Sequence, residues 1–276
     1  LKSAKLLPQG SILTFRAGEM EIRPYWTLRY PEFYEPQPEA AYLEQFVHYL
    51  RQAVARQQPA NRPAEMLLSG GLDSRLLLGL LTEFGGDIQT LTFGIPGCDD
   101  AQVASEIASA LGTRHRFAEL KPDWLHGLAD KAVRITDGLG NIVNLHVLAP
   151  LEAQQRDDQV LYKGVMGDAL FGFALKRQMW GDYDAENRYR VHLGVHGEQG
   201  VVNYDRSAQA RLFTDGFRAQ VGNAACQTYC AGLDRSGTTQ LATQRLYFDL
   251  TQRVPRMTLN GVEAARSRGI VRLPFC

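Results

Sequence analysis

The residue types that suit phosphate chemistry occur together in one short segment, Ser69-Gly70-Gly71-Leu72-Asp73-Ser74. The two glycines allow the backbone to turn sharply and approach a ligand closely, and the two serines add hydroxyl donors. If a helix begins there, its unpaired backbone N–H groups favour an anion such as pyrophosphate. The carboxylate of Asp73 would repel that anion unless a divalent cation lay between them, so the segment predicts Mg²⁺ beside phosphate.

An ordinary helix cap explains part of the same pattern, because Asp and Ser are common first-turn residues and Gly-Gly is a common turn. The complete string, placed between a short apolar run and a leucine-rich segment, favours phosphate binding instead. It lacks the Gly-Lys-Ser/Thr ending of a Walker A loop and the glycine spacing of a dinucleotide fingerprint. The sequence therefore predicts a phosphate loop of another kind.

Short apolar runs and helical periodicities alternate on both sides of this loop. We expect strands at residues 65–68, 88–93 and 159–163, and helices at 40–57, 76–81, 99–111, 124–135 and 144–155. The alternation predicts an α/β fold with a parallel sheet and helices on both faces. Right-handed crossovers place the loops after the strands at one edge, so Ser69, Phe93 and Gly164 should converge.

The remaining chain divides into two further regions. Residues 1–38 contain short extended pieces and a proline-containing linker, and two or three short strands do not fold alone. Residues 39–175 carry the α/β pattern, and residues 176–276 are expected to be mostly helical because their apolar residues keep helical spacing. The chain begins at Leu1 rather than Met, which suggests a part of a longer protein.

The composition argues against several functional classes. The 276 residues contain 30 Lys plus Arg and 30 Asp plus Glu, without the basic excess that nucleic-acid-binding proteins usually show. No apolar run approaches the ~18 residues of a membrane span, and no signal peptide is visible. The four cysteines are few and scattered, as in a reducing compartment. We expect a cytoplasmic protein with neither nucleic-acid nor membrane partners.

Several of these segments resemble a known family. Residues 69–74 resemble the pyrophosphate loop of the N-type ATP pyrophosphatases, and the rest of the chain resembles the synthetase domain of asparagine synthetase. The matching motifs are Leu91-Thr92-Phe93-Gly94, a glycine-rich acidic loop at 164–172, and the closing motif Gly269-Ile270-Val271-Arg272-Leu273-Pro274-Phe275. The resemblance covers nearly the full length.

The resemblance implies an enzyme that uses ATP and Mg²⁺ to activate a carboxylate as its acyl-adenylate, which ammonia or an amine then attacks. Asp73 and Asp168 match the family's two metal-binding aspartates and are the implied catalytic residues. A helix cap ahead of Ala169 is the alternative for Asp168. The implied nucleotide-binding positions are Leu68, Ser69, Gly70, Gly71, Asp73, Ser74, Phe93, Lys163 and Gly164.

The resemblance also sets expectations about domains and partners. Residues 1–38 would be the linker and short strands that follow a glutaminase domain, residues 39–175 the ATP-pyrophosphatase domain, and residues 176–276 a shortened helical C-terminal part. The expected partners are a small-molecule carboxylate, ammonia or an amine, and the glutaminase domain of the longer protein. A homodimer is compatible with these expectations.

Four positions depart from the family's pattern, and one of them is Phe173, which replaces a glycine. Val165 stands where asparagine synthetases carry a glutamate, Ala169 replaces another acidic residue, and Val271 follows Ile270 where a glutamate is usual. Because valine neither accepts a proton nor binds an ammonium group, we expect substrates other than aspartate and ammonia. β-Lactam synthetases and lasso-peptide cyclases resemble this family and also lack the glutamate at the position of Val165. A non-catalytic ATP-binding or scaffold module, or another N-type ATP pyrophosphatase, is the alternative.

Other polar residues give weaker signals. His115 matches the family's histidine, and a turn-stabilising or packing role is expected for it ahead of a catalytic one. His192 and His196 have a helical spacing that suits zinc, although a solvated loop explains them better. The candidates for an acceptor pocket are Asp137, Asn141 and Asn144.

Overall fold

The computed structural model describes residues 5–154, 157–172, 175–181, 187, 190–191, 211–222, 224–257 and 259–275. Phe173, His192 and His196 lie outside these residues. The chain forms two compact units. The hairpin unit comprises Leu1–Tyr34 and Ala174–Gln252, and the sheet unit comprises Glu35–Phe173 and Arg253–Cys276.

The described strands are β1 (Ser11–Arg16), β2 (Glu19–Pro24), β3 (Ala64–Leu67), β4 (Ile88–Gly94), β5 (Arg114–Glu119), β6 (Val160–Lys163) and β7 (Ile270–Arg272). The described helices are α1 (Glu39–Arg56), α2 (Leu72–Glu83), α3 (Asp99–Ala110), α4 (Ala129–Ile135), α5 (Leu148–Gln154), α6 (Gly167–Leu170), α7 (Asp215–Val221), α8 (Ala224–Asp234), α9 (Leu241–Phe248), α10 (Val254–Met257) and α11 (Asn260–Arg266). Short 3₁₀ turns lie at Ile142–Asn144 and Arg177–Trp180, and a π-helical turn lies at Asp249–Arg253.

The sheet unit is built on a five-stranded sheet in the order β5-β4-β3-β6-β7, and every neighbouring pair is parallel. This confirms the predicted α/β fold. The central strand β3 is buried at all four residues, as expected for a parallel strand that helices cover on both faces. Leu67 pairs with Leu91 on one side and with Lys163 on the other, so three strands end together at one edge.

Both faces of this sheet are covered. On one face, Leu67, Leu91 and Leu161 share a core cluster with residues of α5 and α11. On the other face, the hydroxyl of the fully buried Tyr162 donates a hydrogen bond to the carbonyl of Gln57, which follows α1, at 2.6 Å. The Gln57 side chain also accepts from the backbone N–H of Leu273 at 3.0 Å. This residue therefore ties the end of α1 to the segments around β6 and β7.

The hairpin unit contains the antiparallel pair β1–β2 and the helices from α7 to α9. The hairpin turns at Ala17 and Gly18, which both have positive φ, 52° and 86°. Positive φ at both central residues is typical of the two-residue turns whose twist matches that of paired strands. The backbone N–H groups of Tyr25 and Trp26 both donate to the Gly10 carbonyl and close the hairpin. Among the described residues, no helix has the length and apolar character needed to cross a membrane.

Two strands of the sheet were not predicted. The strand β5 has the sequence Arg-His-Arg-Phe-Ala-Glu at one edge, and its charged residues mask the pattern. The strand β7 has only three residues, and it lies in a region that is otherwise mostly helical in its described part, as predicted. The strand β7 pairs with β6, and residues 253–276 group with the sheet unit.

Several predicted helices differ in extent or burial. The helix expected at 124–135 begins at Ala129, and the one expected at 144–155 separates into a 3₁₀ turn and α5. In α1, Leu50 and Val54 are buried as expected, whereas Leu43 and Val47 are about half exposed. The apolar spacing was correct there, but only the second half of the helix packs against the sheet unit's core.

Candidate functional site

The predicted phosphate loop connects β3 to α2, as the sequence suggested. Gly71 adopts an extended conformation just before the helix, and no side chain caps the first turn of α2. The Ser74 hydroxyl is buried and donates to the carbonyl oxygens of Ser69 at 2.9 Å and Gly71 at 3.0 Å. It therefore holds the shape of the loop, while Ser69 is exposed beside it.

Asp100 is a part of this site that the sequence did not single out. It lies in the first turn of α3, and its carboxylate accepts a hydrogen bond from the backbone N–H of Gly70 at 2.9 Å. A Cβ atom on Gly70 would lie only 2.8 Å from that carboxylate, so a larger residue here would displace the Asp100 side chain. The α3 helix thus fixes the loop from the β4 side of the sheet.

The predicted metal pair, Asp73 and Asp168, meets at the same edge. The backbone N–H of Asp168 donates to Asp73 Oδ2 at 3.2 Å. Gly167 makes this approach possible, since a Cβ there would lie 2.3–2.6 Å from the Asp73 carboxyl atoms. Asp168 Oδ1 also accepts from the backbone N–H of Ala169 at 2.8 Å, so the helix-cap interaction weighed as its alternative is present. The other carboxylate oxygen of Asp168, Oδ2, does not accept a hydrogen bond from the Ala169 N–H.

The electrostatics of this pair suit a cation. Burial raises the pKa of Asp73, and the neighbouring Asp168 carboxylate raises it further, while backbone N–H groups of Asp168 and Gly167 act in the opposite direction. No group of three His, Cys, Asp or Glu side chains suited to a metal occurs among the described residues. Mg²⁺ is commonly held by one or two carboxylates together with phosphate oxygens, so the two aspartates beside the loop fit this ion.

A cleft of about 230 Å³ opens next to the loop. Of the predicted nucleotide-binding residues, those that line it are Leu68, Ser69, Phe93, Lys163 and Gly164. The loops after β3, β4 and β6 therefore converge as expected. The lining also includes Asn144, an expected acceptor-pocket residue, and three residues that the sequence did not suggest, Thr92, His146 and Val147. Asp137 and Asn141 are not among the lining residues.

The walls of the cleft are set by two local arrangements. The Leu68 N–H donates to Leu91, and its carbonyl accepts from the Thr92 hydroxyl at 2.6 Å, so little of the Leu68 backbone remains for a ligand. The rings of Phe93 and His146 lie 5.3 Å apart, tilted at 56°, and form an aromatic wall. Such a wall suits a flat, apolar group.

His115 has a structural position within the sheet. Its Nδ1 lies 3.0 Å from the hydroxyl of the buried Thr90, within the β4–β5 pair. Burial lowers the pKa of its imidazole. The residue therefore contributes to the packing of two paired strands, and it is not among the residues that line the cleft.

Comparison with known proteins places this site in a family. The family model described as asparagine synthase matches residues 45–276, which is most of the chain. The chain belongs to the asparagine synthase family. It is 24% identical over 205 residues to "Putative asparagine synthetase [glutamine-hydrolyzing] 2" of Methanocaldococcus jannaschii, which covers 73% of this chain and 40% of that protein. The chain thus spans less than half the length of this curated relative.

Solved structures that resemble this chain have low sequence identity to it. An NMN synthetase from Francisella tularensis is 14% identical, with a TM-score of 0.36, over 79% of this chain and 96% of that one. An NH3-dependent NAD synthetase from Campylobacter jejuni is 12% identical, with a TM-score of 0.34 and the same coverage.

Two of the positions at which the sequence suggested departures from the family's pattern, Val165 and Ala169, lie between the end of β6 and the end of α6. Ala169 is buried, so an acidic side chain at that position would lose most of its hydration. Val165 is half-buried, and its backbone N–H donates to the Lys163 carbonyl. Met166 follows with φ of 86°, a conformation that is costly for residues other than glycine. The segment from β6 to α6 therefore combines an apolar side chain at Val165 with a strained backbone at Met166.

Proposed function

We propose that this protein is an ATP-dependent amide-bond-forming ligase that adenylates a carboxylate and transfers the acyl group to ammonia or an amine. The observation that carries the proposal is the meeting of Asp73 and Asp168 beside the Ser69–Ser74 segment and next to the cleft. Membership of the asparagine synthase family supports the same activity. Two carboxylates without an anion-binding loop would suit many reactions, but the combination suits a nucleotide with its magnesium.

The reaction has two displacement steps. A carboxylate oxygen attacks the α-phosphorus of ATP, the bond from that phosphorus to the bridging oxygen breaks, and pyrophosphate leaves. The amine nitrogen then attacks the acyl carbon, the bond from carbon to the phosphate oxygen breaks, and AMP leaves as a proton is lost from nitrogen. Positioning and charge neutralisation provide most of the catalysis in such phosphorus chemistry, with little covalent help from the protein.

Each part of the site has a role in this scheme. The N–H groups at the start of α2 would bind the pyrophosphate, and the Phe93–His146 wall would hold adenine. Asp73 and Asp168 would hold Mg²⁺. When bound, this ion neutralises negative charge on the phosphates as pyrophosphate leaves. Leu68 would contribute mainly its side chain and the remaining lone pair of its carbonyl.

Exchange of labelled pyrophosphate into ATP tests the proposal. A panel of carboxylates that includes aspartate and larger acids is supplied with Mg²⁺, and at least one should support exchange. The Asp73→Asn variant should lower the exchange rate by about 100-fold or more, because it weakens charge neutralisation in the transition state. The control is Asp87→Asn, which changes an exposed aspartate paired with Arg114.

A non-catalytic ATP-binding module is the second candidate, and the apolar Val165 and Ala169 favour it. Calorimetric binding of ATP with Mg²⁺, combined with no exchange for any carboxylate, would support this candidate and contradict the ligase. If the ligase holds, the M. jannaschii relative, named as glutamine-hydrolysing, suggests glutamine as the ammonia source for the whole protein. A glutaminase domain is accordingly the partner that we propose.

A further inference from the structure

Lys163 extends from the end of β6 into the cleft, on the sheet face that carries the main core cluster. It pairs in register with Leu67 of β3, and the residue two positions before it, Leu161, belongs to that cluster. Side chains two positions apart on a strand share a face, so Lys163 crosses the edge of this core before reaching the cleft. Its ammonium nitrogen ends beside α11, only 3.0 Å from the position that a Cβ on Gly261 would occupy.

Gly261 leaves the space that the ammonium group uses. A Cβ at this position would also lie 2.6 Å from the carbonyl oxygen of Asn144. The backbone around Asn144 and the start of α11 therefore approach each other closely, and Lys163 Nζ lies at that junction. The ammonium group of Lys163 lies where α11 approaches the 3₁₀ turn at Ile142–Asn144, and the Lys163 side chain lines the cleft.

The positive charge of Lys163 has no partner within the described part of the chain, where Nζ makes neither an ion pair nor a hydrogen bond. The other ionisable residues that line the cleft are Asp100, whose carboxylate accepts from the Gly70 N–H, and His146. Burial lowers the pKa of the lysine, and no neighbouring carboxylate offsets this effect. An ammonium group held in such surroundings is destabilised until an anion joins it.

We propose that the Lys163 ammonium group binds the α-phosphate of the nucleotide, an inference that rests on the proposed function. The pyrophosphate would occupy the loop and the aspartate pair, and adenine the aromatic wall, so the α-phosphate lies between them. Lys163 links these two parts, because a Cβ on its neighbour Gly164 would lie 2.8 Å from the Ser74 backbone nitrogen while its own side chain lines the cleft.

This assignment gives Lys163 a role in positioning and in chemistry. A cation on a non-bridging oxygen of the α-phosphate draws charge from phosphorus, and it also holds the acyl-adenylate while the amine attacks. The same group would retain AMP more tightly than adenosine, since only AMP has the phosphate. The difference in affinity between these two ligands is therefore a direct measure of the contact.

Calorimetric titrations of AMP, adenosine and pyrophosphate into wild type and Lys163→Met test the proposal. The variant should bind AMP roughly 10- to 100-fold more weakly, as expected for loss of a charge-assisted hydrogen bond, while adenosine and pyrophosphate affinities change little. Lys121→Met, at an exposed lysine outside the cleft, should leave all three unchanged. Lys163→Met should also melt at or above the wild-type temperature, because it removes a desolvated charge.

A pH series adds a readout that a packing role would not change. AMP affinity of wild type should decline as the pH rises through the lowered pKa of Lys163, whereas Lys163→Arg should keep its affinity over that range. Equal AMP affinities for wild type and Lys163→Met would overturn this inference without contradicting the proposed ligase function. If wild type binds neither ATP with Mg²⁺ nor AMP, both proposals are wrong.

Discussion

The backbone N–H of Asp168 donates to Asp73 Oδ2 across 3.2 Å, although the two residues are 95 positions apart in the chain. The bond joins the first turn of α2 to the first turn of α6, so two carboxylates lie at the N-terminal ends of two helices. Helix N-termini favour negative charge, and this partly offsets the repulsion between the carboxylates. A cation beside the pair would offset the repulsion that remains.

The raised pKa of Asp73 predicts how stability depends on pH. Because the folded-state pKa is above the unfolded value, the folded state takes up a proton more readily than the unfolded chain. Relative to Asp73→Asn, wild type should gain stability at low pH and lose that gain as the pH rises through the raised pKa. Urea denaturation of both proteins across the acidic range, without Mg²⁺ or nucleotide, measures the difference.

Near neutral pH, addition of Mg²⁺ and ATP should make wild type more stable than Asp73→Asn, which is the reverse of their order without ligands. The charged Asp73 would then have a cation beside it, and ligand binding to the folded state stabilises that state. Asp73→Asn should gain less in melting temperature than wild type. An equal gain in both proteins would show that Asp73 does not take part in binding.

Close backbone contact at Gly164 predicts a sharp response to a single methyl group. A Cβ there would lie 2.8 Å from the Ser74 nitrogen and 2.9 Å from its Cα, and neither backbone atom moves without shifting the loop. Gly164→Ala should weaken ATP binding, measured calorimetrically, by roughly 10-fold or more, since small misplacements at such sites are costly.

A matched substitution in α2 supplies the control for this prediction. A Cβ on Gly79 would meet nothing within 4 Å, and the residue lies inside the same helix. Gly79→Ala should raise stability by about 0.5–1 kcal/mol because alanine favours helix, with ATP affinity unchanged. If Gly164→Ala bound ATP as well as Gly79→Ala does, the two loops would not need their close approach.

The sequence predicted the convergence of Ser69, Phe93 and Gly164 because parallel topology alone places strand ends together. It did not indicate β5, whose sequence Arg-His-Arg-Phe-Ala-Glu shows no regular alternation of buried and exposed residues, or β7, which is too short to show a period. Short edge strands form because they pair with neighbouring strands. The residue pattern of the short strand itself does not reveal this pairing.

The missed site residues have a similar explanation. Asp100 appears in the sequence as an ordinary first-turn aspartate, and only the fold brings it to the Gly70 N–H. His146 reaches the cleft from a segment between a 3₁₀ turn and α5, where no motif marks it. Conversely, the glycines at 164 and 167 were visible as a motif, but their steric reason depends on how closely two loops approach.

Glu152, which is not among the residues that line the cleft, predicts a second pH effect of opposite sign. Hydrogen bonds from Arg268, one of them 2.6 Å long, and from Lys131 hold the pKa of Glu152 at about 2, well below its ordinary value of 4.5. A lowered pKa stabilises the folded state above the unfolded value, and this contribution is lost as the pH falls toward 2. Glu152→Gln should be less stable than wild type at pH 7, and the difference should disappear between pH 4.5 and 2.

The partner aspartate of Arg268 offers the control in this network. Asp157 accepts a hydrogen bond from the same guanidinium at 2.7 Å, but its side chain is largely exposed. Asp157→Asn should change the free energy of unfolding little, because exposed pairs contribute about 0–1 kcal/mol. If urea denaturation gave Glu152→Gln and Asp157→Asn equal losses in the free energy of unfolding, this would contradict the prediction that Glu152 contributes more to stability than Asp157.

The hairpin unit contains a buried ion pair whose response to mutation should be large and asymmetric. Arg245 and Asp249 are 0% and 1% exposed, with 3.2 Å between Nε and Oδ2, and Arg245 also donates to the Tyr229 hydroxyl at 3.2 Å. Asp249→Ala would leave a buried guanidinium without its carboxylate. We expect a loss of about 3–5 kcal/mol in the free energy of unfolding, measured by urea denaturation.

Replacing both partners by apolar residues should recover most of that loss. Arg245→Met with Asp249→Leu removes the two desolvated charges together, and such replacements are often neutral in stability. The exposed pair of Arg266 and Glu263 is the comparison, where Glu263→Gln should cost no more than about 1 kcal/mol. A double variant as unstable as Asp249→Ala alone would mean that Arg245 is required for its other contacts, including Tyr229, rather than for its charge balance with Asp249.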